Sequence, residues 1–264
     1  ITGTVTGNSD SADYKDTVIT DVAGRLTISN CGVVKIRKQT DPHGVSGSFE
    51  FTHNLDFLGT PAPSPFTLSD DGVQEYSNVV APGTGYFVDE TAPGADFVLS
   101  AIDCSASDES VAPTHVLNDG RVNFDLDRGE TLDCTFVNSQ KPKLTVYKSV
   151  DAGSSVDGGS AGPNDFALTQ GNEGVDSGET ITHDLGATIA INETQKDGYE
   201  FISITGDDEC PDSLGGSTTA LVAGDDIYCT ITNALRPKLT VTKVVVGGGA
   251  GPNDFSLKQG NQSV

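Results

Sequence analysis

The 264-residue chain contains no tryptophan and no methionine, and aromatic residues make up only 6% of it. It has no apolar run long enough to cross a bilayer as a helix. No stretch repeats apolar residues with the period of an amphipathic helix. We therefore expect neither a helical bundle nor a membrane span in this segment.

Basic residues are also scarce. Lys and Arg number 15 against 38 Asp and Glu, which gives a net charge of −23 and a pI near 4.2. Nucleic acids and anionic lipids both require positive patches, so neither is an expected partner. The chain also lacks nucleophile-elbow, phosphate-loop and zinc-protease motifs. Since its four histidines share no motif position, we do not expect a turnover enzyme: His43, His53, His115 and His183.

Glycine and proline are plentiful, at 31 and 12 residues, and they separate short runs rich in Val, Ile and Phe. This composition is typical of an all-β protein built from short strands and turns. The first residues, Ile1 to Thr6, already have the composition of a strand, and the last residues stop inside a repeated sequence. We therefore expect this chain to be a piece of a longer protein.

Two segments of the chain recur. Lys141-Pro142-Lys143-Leu144-Thr145-Val146 returns as Arg236-Pro237-Lys238-Leu239-Thr240-Val241, and Gly162-Pro163-Asn164-Asp165-Phe166 returns as Gly251-Pro252-Asn253-Asp254-Phe255. Internal repeats of this size indicate tandem units. Each complete unit has the length of one antiparallel β-sandwich, and a short linker stiffened by proline joins it to the next.

The repeats predict four segments. Residues 31–140 and 141–235 form complete β-sandwich repeats, 1–30 are the C-terminal part of a preceding repeat, and 236–264 are the N-terminal part of a following one. Head and tail pieces of two subunits could instead complete each other. That arrangement is less favoured, because neither piece contains the Glu-Thr pair found in both complete repeats.

Each complete repeat places three polar residues on an apolar strand face. Side chains alternate between faces along a strand, so a residue shares the face of those two and four positions earlier. By that count Lys38, Glu90 and Asn138 point into the first core with their apolar neighbours. Lys148, Glu193 and Asn233 do so in the second.

Four of the five cysteines occupy equivalent positions in the two repeats. They predict one disulfide per repeat, Cys104–Cys134 and Cys210–Cys229, and hence an oxidising, extracytoplasmic setting. Reduced buried thiols are the weaker alternative, and no spacing fits a metal site. Cys31 remains, and its partner is left open between residues outside this segment and another chain.

These motifs resemble the prealbumin-like (CnaB- or SpaA-type) β-sandwich repeats of bacterial surface proteins and pilins. The opening Leu-Thr-Val-x-Lys, the central Glu-Thr and the closing Cys-Thr-x-x-Asn carry the resemblance. It implies an intramolecular isopeptide bond in each repeat. Lys38 would attack the amide of Asn138 with Glu90 as proton shuttle, and Lys148 would attack Asn233 with Glu193. The alternative is a buried Lys–Glu ion pair capped by Asn, or a lysine that reaches water. Asn30 and Lys243 are the corresponding candidates of the partial repeats.

No cofactor is expected. Acidic loops such as Asp207-Asp208-Glu209 with Asp212, and Asp151 with Asp157, Asn164 and Asp165, offer oxygen ligands for calcium. None has EF-hand spacing, and solvated acidic loops are the plainer interpretation.

Together these features predict a structural extracellular protein: a segment of a stalk, fibre or filament on a microbial cell surface. Its partners would be neighbouring repeats of the same chain and copies of itself in a fibre. Basic residues cluster at the repeat junctions, including Lys141, Lys143, Arg236 and Lys238, where they could meet acidic ends of neighbouring repeats and limit bending. The alternatives are an adhesin whose loops recognise a glycan or protein, and an accessory module of a secreted enzyme.

Overall fold

A computed structural model describes residues 17–20, 27–57, 61–107, 113–151 and 161–263. The chain is built almost entirely from β-strands, with three short 3-10 turns among the described residues. No helix in these ranges has the length and apolar character needed to cross a membrane.

The first sandwich contains nine strands in two sheets: β3 (Gly32–Asp41), β4 (Phe49–His53), β5 (Phe66–Leu68), β6 (Val73–Val80), β7 (Gly83–Glu90), β8 (Phe97–Ala106), β9 (Thr114–Val116), β10 (Arg121–Leu126) and β11 (Thr131–Gln140). One sheet has the order β6-β3-β11-β8 and the other the order β5-β4-β7-β10-β9. The two sheets enclose one hydrophobic core, whose buried residues run in sequence from Val34 to Phe136.

The second sandwich contains seven strands: β12 (Lys143–Asp151), β13 (Leu168–Gln170), β14 (Glu173–Val175), β15 (Glu179–Thr182), β16 (Ile191–Glu193), β17 (Tyr199–Gly206) and β18 (Asp226–Leu235). Its sheets have the orders β15-β12-β18-β17 and β14-β13-β16. A separate core extends from Leu144 to Ile231. The all-β prealbumin-like sandwich class expected from the sequence is confirmed, whereas the four segment boundaries stay predictions.

The first and last strands of each sandwich lie side by side and run in the same direction. β3 pairs with β11 in parallel, with Phe136 opposite Lys38, and β12 pairs with β18 in parallel, with Ile231 opposite Lys148. All other pairings among the described strands are antiparallel. Each sandwich therefore contains one sheet with a single parallel pair of strands, although the sequence indicated antiparallel sheets.

Both predicted disulfides are present, which confirms the pairings Cys104–Cys134 and Cys210–Cys229. In the first sandwich the bridge joins directly opposed residues of β8 and β11. Cys134 and Cys229 are fully buried, so the bridges belong to the cores. Cys31 is buried as well, and its pairing stays undecided.

Two short hairpins flank the sandwiches. At one end β1 (Thr17–Thr20) pairs with β2 (Thr27–Asn30), and at the other β19 (Lys258–Gln259) pairs with β20 (Gln262–Ser263). Asn30 ends β2. The apolar residues of the last segment are exposed, with Val244 at 72% and Val246 at 93%.

Candidate functional site: a lysine, a glutamate and an asparagine in each core

The alternation of side chains along β3 and β11 places a lysine and an asparagine in the first core. Both strands alternate buried and partly exposed positions, and Lys38 and Asn138 fall on the buried face at 0% exposure. Since the strands are parallel neighbours, the two side chains project from adjacent positions on one sheet. The third residue, Glu90, ends β7 in the opposite sheet and is 5% exposed.

The three side chains make direct contact. Lys38 Nζ lies 3.8 Å from Glu90 Oε1, and Asn138 Nδ2 donates a short hydrogen bond to the same oxygen. Gly120 holds the end of β7 that carries Glu90, because the Gly120 carbonyl accepts a hydrogen bond from Glu90 N at 2.9 Å. Gly120 has φ +65°, and a Cβ there would lie 2.5 Å from Glu90 O, so this position requires glycine.

The second core repeats the arrangement. Lys148 and Asn233 lie on the parallel strands β12 and β18, and Glu193 ends β16 in the opposite sheet. Lys148 Nζ is 3.0 Å from Glu193 Oε2, and Asn233 Nδ2 donates to Glu193 Oε1. All three residues are at most 5% exposed. The structure thus brings together both predicted triads.

Backbone carbonyls surround each lysine nitrogen. Lys38 Nζ donates to Phe136 O at 2.9 Å and to Gln39 O at 3.0 Å. Lys148 Nζ donates to Ile231 O and Ser149 O, both at 3.3 Å. A neutral amine has two N–H groups and one lone pair. Two carbonyl acceptors therefore satisfy both N–H groups and leave the lone pair available.

A phenyl ring covers each amine. Phe49 and Phe166 are buried, and their ring centroids lie 4.6 Å from Lys38 Nζ and 4.5 Å from Lys148 Nζ. These aromatic residues were missed from the sequence, where Gly162-Pro163-Asn164-Asp165-Phe166 was noted as a repeated segment. A 3-10 turn at Pro163–Asp165 brings Phe166 beneath the lysine. The recurrence of this phenylalanine was the available signal.

Burial changes the protonation of these groups. Desolvation lowers the pKa of Lys38 to about 8, against an opposing effect of the Glu90 charge. It also lowers the pKa of Lys148. The same desolvation raises the pKa of Glu90, although Lys38 opposes it. In the first core, burial therefore favours a neutral amine beside a protonated carboxyl group.

The carbonyl oxygens of the two asparagines receive no hydrogen bond from the described residues, although both are buried. Rotation of the amide by half a turn exchanges its oxygen and nitrogen, which occupy almost the same volume. In the rotated form a protonated Glu90 donates to Asn138 Oδ1. This polarises the carbonyl and satisfies the buried acceptor.

The partial repeat at the C-terminal side shows the same lysine and ring. Lys243 Nζ lies 4.3 Å from the Phe255 ring centroid, although Phe255 is 41% exposed. Lys243 stays a candidate, as does Asn30.

The acidic loops proposed for calcium lie on the surface. Asp207, Asp208 and Glu209 line an open cleft with Asp225 and Asp226, and Asp207 Oδ2 accepts a hydrogen bond from Tyr228 N. Asp157 of the second set lies outside the described residues. A third cluster, missed from the sequence, joins His43 with Asp70 and Asp71. Calcium binding stays a prediction.

Comparison with known proteins finds one family model that matches part of the chain. Residues 34–140 match the family model described as a prealbumin-like fold domain. A comparison with curated proteins gives no match.

Several solved structures show weak likeness. A bacterial adhesin from Mobiluncus mulieris, which contains intramolecular disulfide, isopeptide and ester bond cross-links, shares 14% identity over 42% of each chain, with a TM-score of 0.31. The major pilin of Streptococcus pyogenes shares 14% identity over 79% of this chain and 99% of its own, with a TM-score of 0.29. The Bacillus anthracis TIE protein shares 16% identity over 77% of this chain, with a TM-score of 0.31. This chain spans 42% of the adhesin chain and 34% of the TIE chain. The family match alone therefore supports a prealbumin-like fold, and it does so for residues 34–140.

Proposed function

We propose that this chain is a force-resisting segment of an extracellular fibre or stalk, in which a Lys–Asn isopeptide bond staples each sandwich. One observation carries the proposal. A buried amine, a carboxyl group and a carboxamide are in direct contact in each core, on the first strand, the opposite sheet and the last strand.

The reaction needs no reagent from outside. The neutral Lys38 amine attacks Cγ of Asn138 and forms a C–N bond, while the bond from Cγ to Nδ2 breaks. Glu90 in its protonated form donates to the amide, accepts the proton released by the amine, and returns a proton to the departing nitrogen. The products are a secondary amide and one ammonia. Lys148, Glu193 and Asn233 perform the same steps in the second sandwich.

Formation of the bond also removes an energetic problem. A charged lysine and a charged glutamate in a core are costly to desolvate, and their attraction repays that cost only in part. The product is neutral, so the core no longer holds separated charges. In the first sandwich, burial thus favours both the reactive protonation state and the product.

Placement of the staple suits a mechanical role. The chain enters each sandwich through the first strand and leaves through the last, and the staple joins these two strands. Tension along the chain would therefore pass through a covalent bond. The two disulfides favour an oxidising environment such as the cell exterior.

Intact mass of the reduced chain tests the chemistry. We expect a mass lower than that of the sequence by two molecules of ammonia. The Asn138→Ala variant is expected to lose one fewer, because only the second sandwich can react. A wild-type mass equal to that of the reduced sequence would exclude the staples.

Location requires a separate test on the organism that produces the protein. Immunogold labelling of unpermeabilised cells should mark the cell surface or fibres projecting from it. Label that appears only after permeabilisation would refute the surface role, whatever the mass shows.

A second candidate function is glycan binding, and one observation favours it. Tyr147 and Tyr228 stand next to each other on the outer face of the second sandwich, 43% and 44% exposed, with ring planes within 20°. Exposed aromatic rings can stack on sugars. If this function holds, the Tyr147→Ala and Tyr228→Ala variants should lose retention on immobilised glycans that retain the native chain.

A further inference from the structure

The two sandwiches are joined by only two residues, Lys141 and Pro142, and their backbone is hydrogen-bonded to both sides. Lys141 N donates to Asp96 O of the first sandwich at 2.8 Å. Pro142 O accepts from His183 N of the second sandwich at 2.9 Å. The linker is therefore held as part of both units, which differs from a flexible tether.

Ion pairs reinforce one side of this junction. Lys143 Nζ lies 3.3 Å from Asp96 Oδ1, which crosses from the second sandwich to the first. Lys141 Nζ lies 3.1 Å from Asp184 Oδ1. The four side chains are between 27% and 86% exposed, so each pair is weak and sensitive to salt.

A turn of the second sandwich closes the other side. Gly224 N donates to Gln140 O, the last residue of β11, at 3.0 Å. A Cβ added to Gly224 would lie 2.6 Å from Pro42 Cδ of the first sandwich. The close approach of proline and glycine leaves no space for a side chain. Gly224 also has φ +78°, so the turn itself favours glycine.

The same turn exists in the first sandwich. Gly129 has φ +74°, and Asp127 N donates to Glu130 Oε2 at 2.7 Å, as Val222 N donates to Asp225 Oδ2 at 2.7 Å. Each turn also accepts a backbone hydrogen bond from the start of the first strand of its own sandwich. Glu130 O accepts from Val33 N, and Asp225 O accepts from Lys143 N, both at 2.8 Å.

We propose that this turn is a docking element that locks each sandwich at a fixed angle onto the end of the sandwich before it. The partner surface is the end of a preceding repeat, formed here by Pro42, Asp96 and Gln140. This inference does not depend on the isopeptide bonds. Residues 127–130 form the equivalent element of the first sandwich.

Residual dipolar couplings of the full-length chain test the lock. If the lock exists, residues 31–140 and 141–235 of the native protein report one common alignment tensor. The Gly224→Ala variant should lose it, because the new Cβ collides with Pro42. Different tensors for the two sandwiches of the native protein would overturn the proposal.

Gly215→Ala is the matched control. Gly215 lies in the same sandwich with φ +77°, and nothing lies within 4 Å of a Cβ added there. It therefore imposes the same backbone strain without the collision, and we expect the common tensor to persist. Equal loss in both variants would show that local strain is responsible and would overturn the docking role.

The lysines give an independent test that leaves the turn intact. The Lys141→Ser/Lys143→Ser double variant should widen the angular distribution between the sandwiches, measured from the same couplings. Lys35→Ser/Arg37→Ser makes the same change in charge at ion pairs within one sandwich, with Glu75 and Asp133, and should leave the angle unchanged. If the first pair of substitutions has no larger effect than the second, the ionic part of the lock is refuted.

Discussion

Substitution of Glu90 distinguishes between two interpretations of the first triad: a reactive centre and a buried ion pair. A glutamine at this position keeps the size and a hydrogen-bonding oxygen but cannot accept and return a proton. We expect Glu90→Gln to abolish the loss of ammonia from the first sandwich, measured by intact mass.

The second sandwich supplies the internal control for that substitution, since Glu193 is unchanged and its loss of one ammonia should persist. A variant that still loses both ammonia molecules would show that Glu90 does not transfer the proton. The conservative substitution also keeps the core volume, which limits disturbance of the fold.

His53 predicts a pH dependence of the first sandwich. Leu55 N donates to His53 Nδ1 at 3.3 Å, and His53 Nε2 lies 3.0 Å from Pro63 O and 2.9 Å from Tyr76 Oη. Nδ1 therefore carries no proton in the folded state. Burial lowers the pKa of His53 below its usual 6.5, while it raises the pKa of Tyr76 to about 12, so the tyrosine stays neutral.

The sign of the effect follows from proton binding. Below pH 6.5 the unfolded state binds more protons than the folded state, so stability is present above that pH and falls as the pH drops. We expect the local opening constant of the Leu55 amide, measured by hydrogen exchange, to rise by up to about tenfold for each unit by which the pH is lowered below 6.5. His53→Gln should remove this dependence, and an unchanged slope in the variant would assign it to another group.

Several individual residues could be identified from the sequence alone. Lys38, Glu90 and Asn138 are polar residues at positions where the period of two demands burial, and each recurs in the second repeat. The carbonyls of Gln39 and Phe136 could not be predicted, because every residue has one and only the register selects them. His53 was one of four histidines without a motif, and its burial depends on long-range packing.

The disulfides give a prediction at the level of strands. The bridges close loops with sequence separations of 30 and 19 residues. On the chain-entropy model each stabilises its sandwich by about 3 kcal/mol, and the difference in loop length changes this by less than about 1 kcal/mol. Cys104→Ala/Cys134→Ala and Cys210→Ala/Cys229→Ala should therefore lower the unfolding free energies by similar amounts, measured by urea denaturation.

Each double variant contains its own control, since the other sandwich keeps its bridge. We expect the unaltered sandwich to unfold at the same urea concentration as in the native chain. A loss below about 1 kcal/mol in the altered sandwich would mean that the disulfide constrains the unfolded chain little.

Strand burial was largely predictable, and strand pairing was not. β3 and β11 alternate clearly between apolar and polar residues, so their buried faces follow from the pattern. That they are parallel neighbours depends on contacts about 100 positions apart in the chain, which local sequence does not specify. Phe166 was missed for the same reason: its turn is local, but its contact with Lys148 is not.

At the scale of the whole molecule, the proposed staples predict how the chain responds to pulling. A stapled first sandwich should not lengthen, because Lys38 and Asn138 remain joined. In Asn138→Ala the disulfide still protects 30 residues of the 100 between these positions, so single-molecule unfolding should lengthen the chain by about 250 Å.

Reduction of the disulfide in the same variant should raise this length to about 350 Å, since all 100 residues are then released. The second sandwich, with its own staple, should not extend in either experiment. Extension of the first sandwich in the native chain at forces that break no covalent bond would contradict the mechanical role.

The repeated sequences predicted tandem units, but they gave no indication of the contact between the two sandwiches. The proline of the linker indicated stiffness, and the basic residues indicated contact with an acidic neighbour. Pro42 and Gly224 are ordinary turn residues in the sequence. Their contact arises only when one complete sandwich is set on the end of another.

The parallel, adjacent position of β3 and β11 has a consequence for chain continuity. Once Lys38 and Asn138 are joined, the backbone between them and the two joined side chains form a closed ring. The joined side chains are a second, shorter covalent connection between these residues. A protease that cuts the backbone of the ring at one point leaves this connection intact. A fibre built in this way could lose one peptide bond in any loop between the joined residues of a sandwich and still connect its two ends.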